Sequence, residues 1–294
     1  MGLPEINGKT KVCGLFGWPV EHSFSPAMHN AAYAGLGLNW VYVPYSVPPN
    51  CLRQAVEGMR ALGLAGANVT VPHKQSIIPL LDKVDTAARI MGAVNTVRLE
   101  QGKLVGYNTD GPGFIQFLAA EANFSPQGKR VLLVGAGGAA RAVAVALAGA
   151  GAAAIYITNR TPEKAEQLAR DVAQAGQLTT RVLPWGRQLP GTVVAEVDLV
   201  IQTTPLGMGA RSDQVPEFPF TALQPGQLVC DLIYNPNRTL FLQMAAARGA
   251  TVFNGLGMLL YQGVLAFELW TGLPAPVAIM REALLKQVSG GEER

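Results

Sequence analysis

The sequence has little cysteine and little charge, and its one suspicious apolar stretch is a poor membrane span. Three cysteines in 294 residues are an odd number without metal-ligand spacing, which excludes a disulfide scaffold and a zinc ribbon. Charged residues make up 15% of the chain with a net charge of +3, so no nucleic-acid surface is expected. Residues 142–158 carry no charge, but Gly149 and Gly151 interrupt them, which indicates a helix, a turn and a strand.

Histidine is scarce as well. The spacing of His22, His29 and His73 matches no metal-ligand pattern, so we expect no metal site and interpret them as solvated or satisfied core histidines. The chain does not start with a basic segment followed by an apolar run, so no signal peptide is expected. A reducing, cytoplasmic location is consistent with the cysteine usage.

Short apolar runs alternate with helical patterns, which predicts an α/β fold with mostly parallel sheets. Strands are predicted at residues 12–16, 41–45, 66–71, 93–98, 104–108, 130–134, 154–158, 181–183, 198–202, 228–231 and 251–252. Helices are predicted at residues 52–62, 112–122, 240–248, 258–270 and 277–288, and also from Ser25, from Asp85 or Thr86, after the glycines at 135–138 and from Pro162. The length favours two domains, and the last helices are expected to return to the first.

A glycine-rich turn follows the strand predicted at residues 130–134. The run Gly135-Ala136-Gly137-Gly138-Ala139-Ala140 fits G-x-G-x-x-G/A and opens a predicted helix, which is the context that a dinucleotide-binding turn requires. The glycines allow backbone to approach a pyrophosphate, and the helix N-terminus offers N–H donors to it. The alternative is an ordinary turn in an alanine-rich protein.

The end of the next predicted strand bears on the choice of cofactor. An NAD-specific fold usually has an acidic residue there to hold the ribose hydroxyls. This chain has Asn159, Arg160 and Thr161, with Lys164 one turn later. Because a guanidinium group can bind a 2′-phosphate, this pattern favours NADP. A solvated arginine at a helix start is the alternative.

Polar residues occur where a core is expected. Strand alternation places Asn68 and Thr70 on one face, which suggests either a pocket rim or an edge strand with one wet face. Ser25 is interpreted as a helix N-cap, and hydroxyls at Ser23 and Ser25 beside a helix start also suit a carboxylate ligand.

Asn95 and Asp110 complete the polar set. Asp110 before a helix is ordinarily a cap. Close to Lys74 it would instead favour the charged ammonium and hold a proton ready for an alkoxide.

Several motifs occur together in one order and carry a family resemblance. They are His22-Ser23-Phe24-Ser25-Pro26, Asn68-Val69-Thr70-Val71-Pro72-His73-Lys74, Gly92-Ala93-Val94-Asn95-Thr96, Asn108-Thr109-Asp110-Gly111, Asn159-Arg160-Thr161, Asp231-Leu232-Ile233-Tyr234-Asn235-Pro236 and Gly255-Leu256-Gly257-Met258-Leu259. The chain resembles the shikimate dehydrogenases over nearly its whole length.

The resemblance implies a fold, a reaction and site residues. It implies a substrate domain at residues 1–109 and 254–294, a Rossmann-type NADP domain at 110–253, and an active site in the cleft between them. It implies reduction of 3-dehydroshikimate to shikimate with NADPH, with Lys74 and Asp110 as the acid–base pair. The implied substrate-binding residues are Ser23, Ser25, Asn68, Thr70, Asn95, Tyr234 and Gln262. The implied cofactor-binding residues are Gly135, Ala136, Gly137, Gly138, Ala139, Asn159, Arg160, Thr161, Lys164, Thr203, Leu232 and Gly255.

Two other functions remain open at this point. A quinate/shikimate dehydrogenase that also uses NAD would share the substrate pocket, and Asn159-Arg160-Thr161 disfavours it. A non-catalytic NADP-binding sensor would be expected to lack Lys74 or Asp110. The expected partner is a small-molecule substrate, not nucleic acid or a membrane, and the chain is expected to be a monomer or a homodimer.

Overall fold

The computed structural model describes residues 5–291 of the chain. Residues 1–4 and 292–294 lie outside the described residues. They include the N-terminal segment considered for a signal peptide and both ends of the predicted substrate domain. The chain divides into two compact units by its internal contacts. The first contains the described residues up to Gly113 and those from Leu259 onward, and the second is Phe114–Met258.

The first part of the chain forms a mixed sheet. Its elements are β1 (Lys11–Gly17), α1 (Ser25–Gly35), β2 (Trp40–Ser46), α2 (Leu52–Ala61), β3 (Gly66–Val69), β4 (Lys83–Val84), α3 (Thr86–Met91), β5 (Thr96–Glu100), β6 (Lys103–Tyr107) and α4 (Asp110–Ala120). The strand order is β2-β1-β3-β5-β6-β4. β1 pairs in parallel with β2 and β3, whereas β5 runs antiparallel to β3 and β6.

The second unit contains an all-parallel sheet. The remaining elements of the chain are β7 (Arg130–Val134), α5 (Gly138–Gly149), β8 (Ala154–Thr158), α6 (Pro162–Ala175), β9 (Thr179–Leu183), α7 (Gly191–Glu196), β10 (Leu199–Gln202), β11 (Leu228–Asp231), α8 (Leu240–Ala246), β12 (Thr251–Phe253), α9 (Leu256–Thr271) and α10 (Val277–Gly291). The order β12-β11-β10-β7-β8-β9 is that of a doubly wound dinucleotide-binding fold. In such sheets ligands bind where the strand order reverses, here beyond β7 and β10.

Each unit has its own apolar core. In the first, Phe16, Val69 and Val97 from the sheet pack with Val56 and Met59 of α2. In the second, strand residues pack with side chains of α7 and α8 and with Phe220; the set includes Leu132, Val134, Val200, Val229, Val194, Phe241 and Leu242. Because the described residues from Leu259 onward belong to the first unit, where α10 packs on α1, the predicted return of the last helices is confirmed.

Most predicted elements are present, and the differences lie at their ends. Ser25 is not the N-cap of α1, because Phe24 holds that position and Ser25 is the first helical residue. The predicted strand at residues 66–71 ends at Val69, so Val71 is exposed instead of buried. The edge-strand alternative for this segment is wrong, since β3 lies between β1 and β5.

Two further differences come from local turn chemistry. The strand predicted at 93–98 begins only at Thr96, since Ala93 N bonds to the Ala88 carbonyl of α3 and Val94 N to the Lys74 carbonyl, outside the sheet. α4 begins at Asp110, two residues before the predicted start. The two-residue strand β4 and the short helix α7 have no clear periodicity and were not predicted.

Close packing of α9 on the first sheet gives a stability prediction. Trp270 donates from Nε1 to the carbonyl of Val97 at 3.0 Å, and its ring lies where a Cβ at Gly66 would point. Gly66→Ala forces the indole to shift and should lower the free energy of unfolding by about 1–3 kcal/mol.

The control for this prediction is Gly58→Ala in α2. A Cβ at Gly58 meets nothing within 4 Å, so alanine should raise stability by about 0.5–1 kcal/mol through helix propensity. Urea unfolding monitored by tryptophan fluorescence measures both variants. Equal stability of the Gly66 variant and the wild type would contradict the packing argument.

Candidate active site

A lysine and an aspartate form a close ion pair in the first unit. Lys74 Nζ lies 2.6 Å from Asp110 Oδ2. The Asp110 side chain is 9% exposed and that of Lys74 is 27% exposed, so the pair is shielded from bulk water but open on the lysine side. A charge-assisted hydrogen bond of this length fixes both groups and leaves two further ammonium protons for a ligand.

The backbone around Lys74 is fixed by bonds to other segments. The carbonyl of Lys74 accepts from Val94 N at 2.8 Å. The preceding His73 is buried, and its Nε2 lies 2.7 Å from the carbonyl of Val47, to which it donates. His73 is therefore a satisfied core histidine, as predicted, and it anchors the residue beside the lysine.

The other two histidines differ in environment. His22 is exposed, which agrees with the prediction of a solvated side chain. His29 is fully buried, and within residues 5–291 neither of its ring nitrogens has a hydrogen-bond partner. It stacks on Tyr42 at 4.5 Å between ring centroids, so aromatic contact replaces the expected hydrogen bond, and burial lowers its pKa to about 3.

The second oxygen of the Asp110 carboxylate, Oδ1, also accepts a hydrogen bond. Asn95 Nδ2 donates to Asp110 Oδ1 at 2.9 Å and to Thr109 Oγ1 at 2.9 Å. Asp110 is the first residue of α4, where the helix dipole also favours a negative charge. The ordinary role of a helix cap does not apply to Asp110, because it is the first residue of α4 and Asn108 Oδ1 accepts from its N–H at 3.0 Å.

Asn68 belongs to the same hydrogen-bonded group. Its Nδ2 donates to the Asn95 carbonyl and to Thr96 Oγ1, at 3.2 and 3.1 Å. Its Oδ1 accepts from the hydroxyl of Tyr42 at 2.8 Å. Burial raises the pKa of Tyr42 well above its usual value, which keeps this phenol protonated and donating. The sequence thus predicted Asn68, but not Tyr42, which fixes it.

The remaining predicted substrate residues are placed by different elements. Ser23 Oγ accepts from Ser25 N at 3.3 Å, so both hydroxyls lie at the start of α1. Thr70 directly follows β3, with its N–H bonded to the Phe16 carbonyl. Gln262 on α9 is buried and donates to the Leu259 carbonyl at 2.7 Å. Tyr234 belongs to the second unit, where burial raises its pKa.

The glycine-rich turn has the shape of a phosphate cradle. Gly135 follows β7 with φ +116°, and a Cβ there would collide with the Thr203 hydroxyl. A Cβ at Gly137 or Gly138 would meet nothing within 4 Å, so the turn is open on its outer side. The residues are therefore compatible with a pyrophosphate against the turn.

The start of α5 supplies the donors for such a phosphate. The first helical bond runs from Arg141 N to the Gly137 carbonyl, which leaves the earlier N–H groups of α5 outside the helical ladder. Ala136 and Ala139 belong to this turn and are half-buried.

The segment after β8 presents polar and basic side chains. Arg160, Thr161 and Lys164 are exposed, and Asn159 Nδ2 donates to the Thr161 carbonyl at 2.8 Å. Within the part of the chain that the structure describes, Arg160 forms no ion pair, unlike the nearby Arg170 with Glu166. Exposed cations at this sheet edge are compatible with a 2′-phosphate and equally with solvent.

The sequence did not predict the polar pair that fixes the loops after β10 and β11. Asp231 and Gln202 are fully buried. Asp231 accepts from Thr239 Oγ1 at 2.7 Å and from Ile233 N at 3.0 Å, and Gln202 Nε2 donates to the Leu206 carbonyl. Loss of hydration raises the pKa of Asp231 to about 6.

The loops that this pair fixes carry predicted cofactor residues. Thr203 Oγ1 donates to the Val134 carbonyl at 3.0 Å, next to the glycine turn. Leu232 lies against Gly255, where any Cβ would collide with the Leu232 carbonyl. A signal for Asp231 was available in the sequence, since a carboxylate ending an apolar strand needs buried donors.

The described residues contain no group of three His, Cys, Asp or Glu that could hold a metal ion. In the described part of the chain, no helix is long and apolar enough to cross a membrane.

A dinucleotide-binding sheet with an open glycine cradle, joined to a unit that carries a lysine–carboxylate pair, defines a nicotinamide-dependent dehydrogenase. Family models match three regions: a shikimate dehydrogenase substrate binding domain at residues 15–97, shikimate/quinate 5-dehydrogenase at 118–205, and the shikimate 5′-dehydrogenase C-terminal domain at 255–285. The chain belongs to the shikimate dehydrogenase family.

Individual relatives agree with this membership. The chain is 62% identical to a shikimate dehydrogenase (NADP⁺) of Desulforamulus reducens over 99% of its length and 100% of that protein. It is 44% identical to a shikimate dehydrogenase solved with NADP⁺, with a TM-score of 0.88 over 96% of this chain and 97% of that one. It is 37% identical to a Listeria monocytogenes shikimate 5-dehydrogenase solved with shikimate and NAD, with a TM-score of 0.90 over 95% and 98%.

The buried carboxyl group of Asp231 gives a pH prediction. Its folded pKa of about 6 lies above the ordinary 3.8, so its protonated form stabilises the fold fully below about pH 4. As the pH rises through 6, up to about 3 kcal/mol of that contribution is lost. Asp231→Asn keeps the shape and removes the titration.

Amide hydrogen exchange of β10 and β11, measured from pH 4.5 to 7.5, reports the local opening free energy. The local opening free energy of the wild type minus that of Asp231→Asn should fall as the pH rises. A difference that stays constant or increases would contradict the raised pKa of Asp231.

Proposed function

We propose that this chain catalyses the reversible, NADPH-dependent reduction of 3-dehydroshikimate to shikimate. Family membership supports the reaction class, and the 2.6 Å contact between Lys74 Nζ and Asp110 Oδ2 is the observation that carries the assignment. A reduced ketone needs a hydride at carbon and a proton at oxygen. The hydride comes from NADPH when the cofactor is bound.

Lys74 supplies the proton. In the reduction, an ammonium proton on Nζ passes to the carbonyl oxygen as the hydride arrives at the carbon, so no free alkoxide forms. In the oxidation the neutral amine accepts that proton from the hydroxyl group. General acid–base catalysis of this kind contributes about 10²–10⁴ in rate.

Asp110 orients the lysine and binds a neighbouring hydroxyl of the substrate. Asn95 and Lys74 both donate to its carboxylate, one to each oxygen. A carboxylate beside the ammonium also offsets part of the desolvation of the charged lysine.

The other site residues divide by role. For the substrate, we propose that the carboxylate is bound by Ser23 and Ser25, and the ring hydroxyls by Asn68, Thr70, Asn95 and Gln262, with Tyr234 nearby. For NADP, we propose binding of the phosphates and ribose by Gly135, Ala136, Gly137, Gly138, Ala139, Asn159, Arg160, Thr161 and Lys164, and of the nicotinamide by Thr203, Leu232 and Gly255. The first unit would then bind substrate and the second NADP.

The chemistry of the second unit favours NADP over NAD. No acidic side chain occurs between Asn159 and Pro162, and Arg160 can meet a 2′-phosphate. The second candidate, a quinate/shikimate dehydrogenase that also accepts NAD, keeps some support from the relative solved with NAD. The presence of both Lys74 and Asp110 disfavours a non-catalytic sensor.

The finer expectations from the sequence are retained as proposals. The partner is the small-molecule substrate, with neither nucleic acid nor a membrane, and the chain acts as a monomer or a homodimer. The cysteine usage supports a cytoplasmic location.

A substrate and cofactor matrix tests the proposed function. Initial rates are measured with shikimate or quinate as the reductant and with NADP⁺ or NAD⁺ as the oxidant. We expect kcat/KM to be highest for shikimate with NADP⁺. Comparable values for quinate or for NAD⁺ would favour the second candidate, and no turnover with any pair would favour the sensor.

Lys74→Ala tests the proton transfer. Removal of the ammonium group should lower kcat by at least about 100-fold and change KM little, since the loss falls on the transition state. Steady-state rates of shikimate oxidation measure both constants. Near-normal turnover in the variant would remove Lys74 from the chemistry.

Arg160→Gln tests the cofactor preference. Loss of a charge-assisted contact worth about 1.5–3 kcal/mol should raise the KM for NADP⁺ about 10- to 100-fold and leave that for NAD⁺ unchanged. Arg170→Gln, an equal charge change on the exposed side of α6, is the matched control. Equal effects of both substitutions, or an equal effect on both cofactors, would refute a specific phosphate contact.

A further inference from the structure

Asn108 joins the parts of the chain that carry the ion pair. Its Oδ1 accepts from the N–H groups of Asp110 and Gly111, at 3.0 and 3.4 Å. Its Nδ2 donates to the carbonyl of Ala93 at 2.9 Å. The residue is buried, so these bonds have little competition from solvent. The resemblance gave Asn108 no role beyond its place in a motif.

The acceptor side of Asn108 determines where the Asp110 carboxylate points. A side-chain acceptor can satisfy the first N–H groups of a helix, and in α3 and α8 that acceptor is Asp85 or Thr239 at the N-cap position. In α4 the acceptor is the side-chain oxygen of Asn108, which lies two residues before Asp110. The Asp110 carboxylate is therefore free to turn away from the helix and contact Lys74 and Asn95.

The side-chain nitrogen of Asn108 fixes the segment that begins at Ala93, which also contacts the Lys74–Asp110 pair. Ala93 begins the segment in which Val94 N binds the Lys74 carbonyl and Asn95 binds Asp110. One planar amide thus links the segment that supports the lysine to the helix that begins with the aspartate. Aspartate can replace the acceptor but has no donor, and serine offers one shorter hydroxyl in place of the separate oxygen and nitrogen of the amide.

We propose that Asn108 is a positioning residue of the reaction: it acts through Asp110 and Ala93 to hold the Lys74–Asp110 pair in its reactive geometry. This inference rests on the proposed function. It extends that function to a residue that touches neither substrate nor cofactor. Because a misplacement of about 1 Å can lower a rate about 100-fold, loss of either bond should be visible in kcat.

Three substitutions separate positioning from simple helix capping. Asn108→Ala removes both bonds, whereas Asn108→Ser restores a capping oxygen without the donor to Ala93. Asn108→Asp restores the cap and adds a like charge two residues from Asp110. The cavity of about 470 Å³ that Asn108 and Thr109 line lets water reach the freed groups, so the smaller variants should fold.

The expected results differ between the variants. Asn108→Ala should lower kcat for shikimate oxidation about 30- to 100-fold, with the Kd of NADPH within about twofold of the wild type. Asn108→Ser should recover the Tm but not kcat. Asn108→Asp should likewise recover the Tm but not kcat, because aspartate restores the acceptor and not the donor to Ala93.

Asp85→Ala is the matched control. It removes the 2.9 Å cap of α3, from Ala87 N to Asp85 Oδ2, and should lower the Tm by about 2–4 °C without changing kcat. The proposal is overturned if the alanine variant keeps kcat within threefold of the wild type, or if serine restores kcat together with the Tm. It is equally overturned if the aspartate variant recovers kcat together with the Tm.

A crystal structure of Asn108→Ser separates this inference from the proposed function. We expect the Asp110 carboxylate to leave hydrogen-bond distance of Lys74 Nζ or of Asn95 Nδ2, whatever the enzyme oxidises. An unchanged pair would refute positioning by Asn108. A displaced pair, in a protein whose wild type does not oxidise shikimate, would leave positioning intact and refute only the proposed function.

Discussion

A partly buried ammonium–carboxylate contact imposes the main constraint on the first unit. Two charges taken out of water are costly unless further hydrogen bonds satisfy them. Asn95 satisfies the second oxygen of Asp110, and the start of α4 adds a favourable dipole. The polar residues of β2, of β3 and of the segment before β5 are therefore interdependent: to keep one charge pair, the fold buries a connected set of amides and hydroxyls, from Tyr42 through Asn68 to Asn95.

The second unit also buries polar side chains, in this case to hold loops in place. Its parallel strands end in loops that must present backbone to a dinucleotide, and loops without buried contacts would be mobile. Asp231 and Gln202, both fully buried, form hydrogen bonds to the backbone of the loops after β10 and β11. The glycine turn after β7 is tight against Thr203 and open outward. A dinucleotide site requires loops that are held in place and a glycine turn that is open to the phosphates.

Patterns that depend on local chemistry could be predicted from the sequence, and patterns that depend on distant partners could not. The turn at Gly135, the helix start at Asp85 and the buried strand at 130–134 have local signatures, and all three are present. Lys74 and Asp110 came together as expected, through the family motifs. Ser25 as a cap was wrong because Phe24 occupies the N-cap position, and the cap alternative for Asp110 does not hold because Asn108 Oδ1 accepts from its N–H. Tyr42 and the stacked His29 are defined by tertiary contacts that no spacing encodes.

In the proposed mechanism, Lys74 exchanges a proton with one oxygen of the substrate while Asp110 orients the lysine and binds the neighbouring hydroxyl. A crystal structure with shikimate bound tests this most directly. We expect a shikimate hydroxyl oxygen at about 2.6–3.2 Å from Lys74 Nζ, with Asp110 within reach of the adjacent hydroxyl. A shikimate molecule bound elsewhere, with its hydroxyl groups out of reach of both side chains, would contradict the claim.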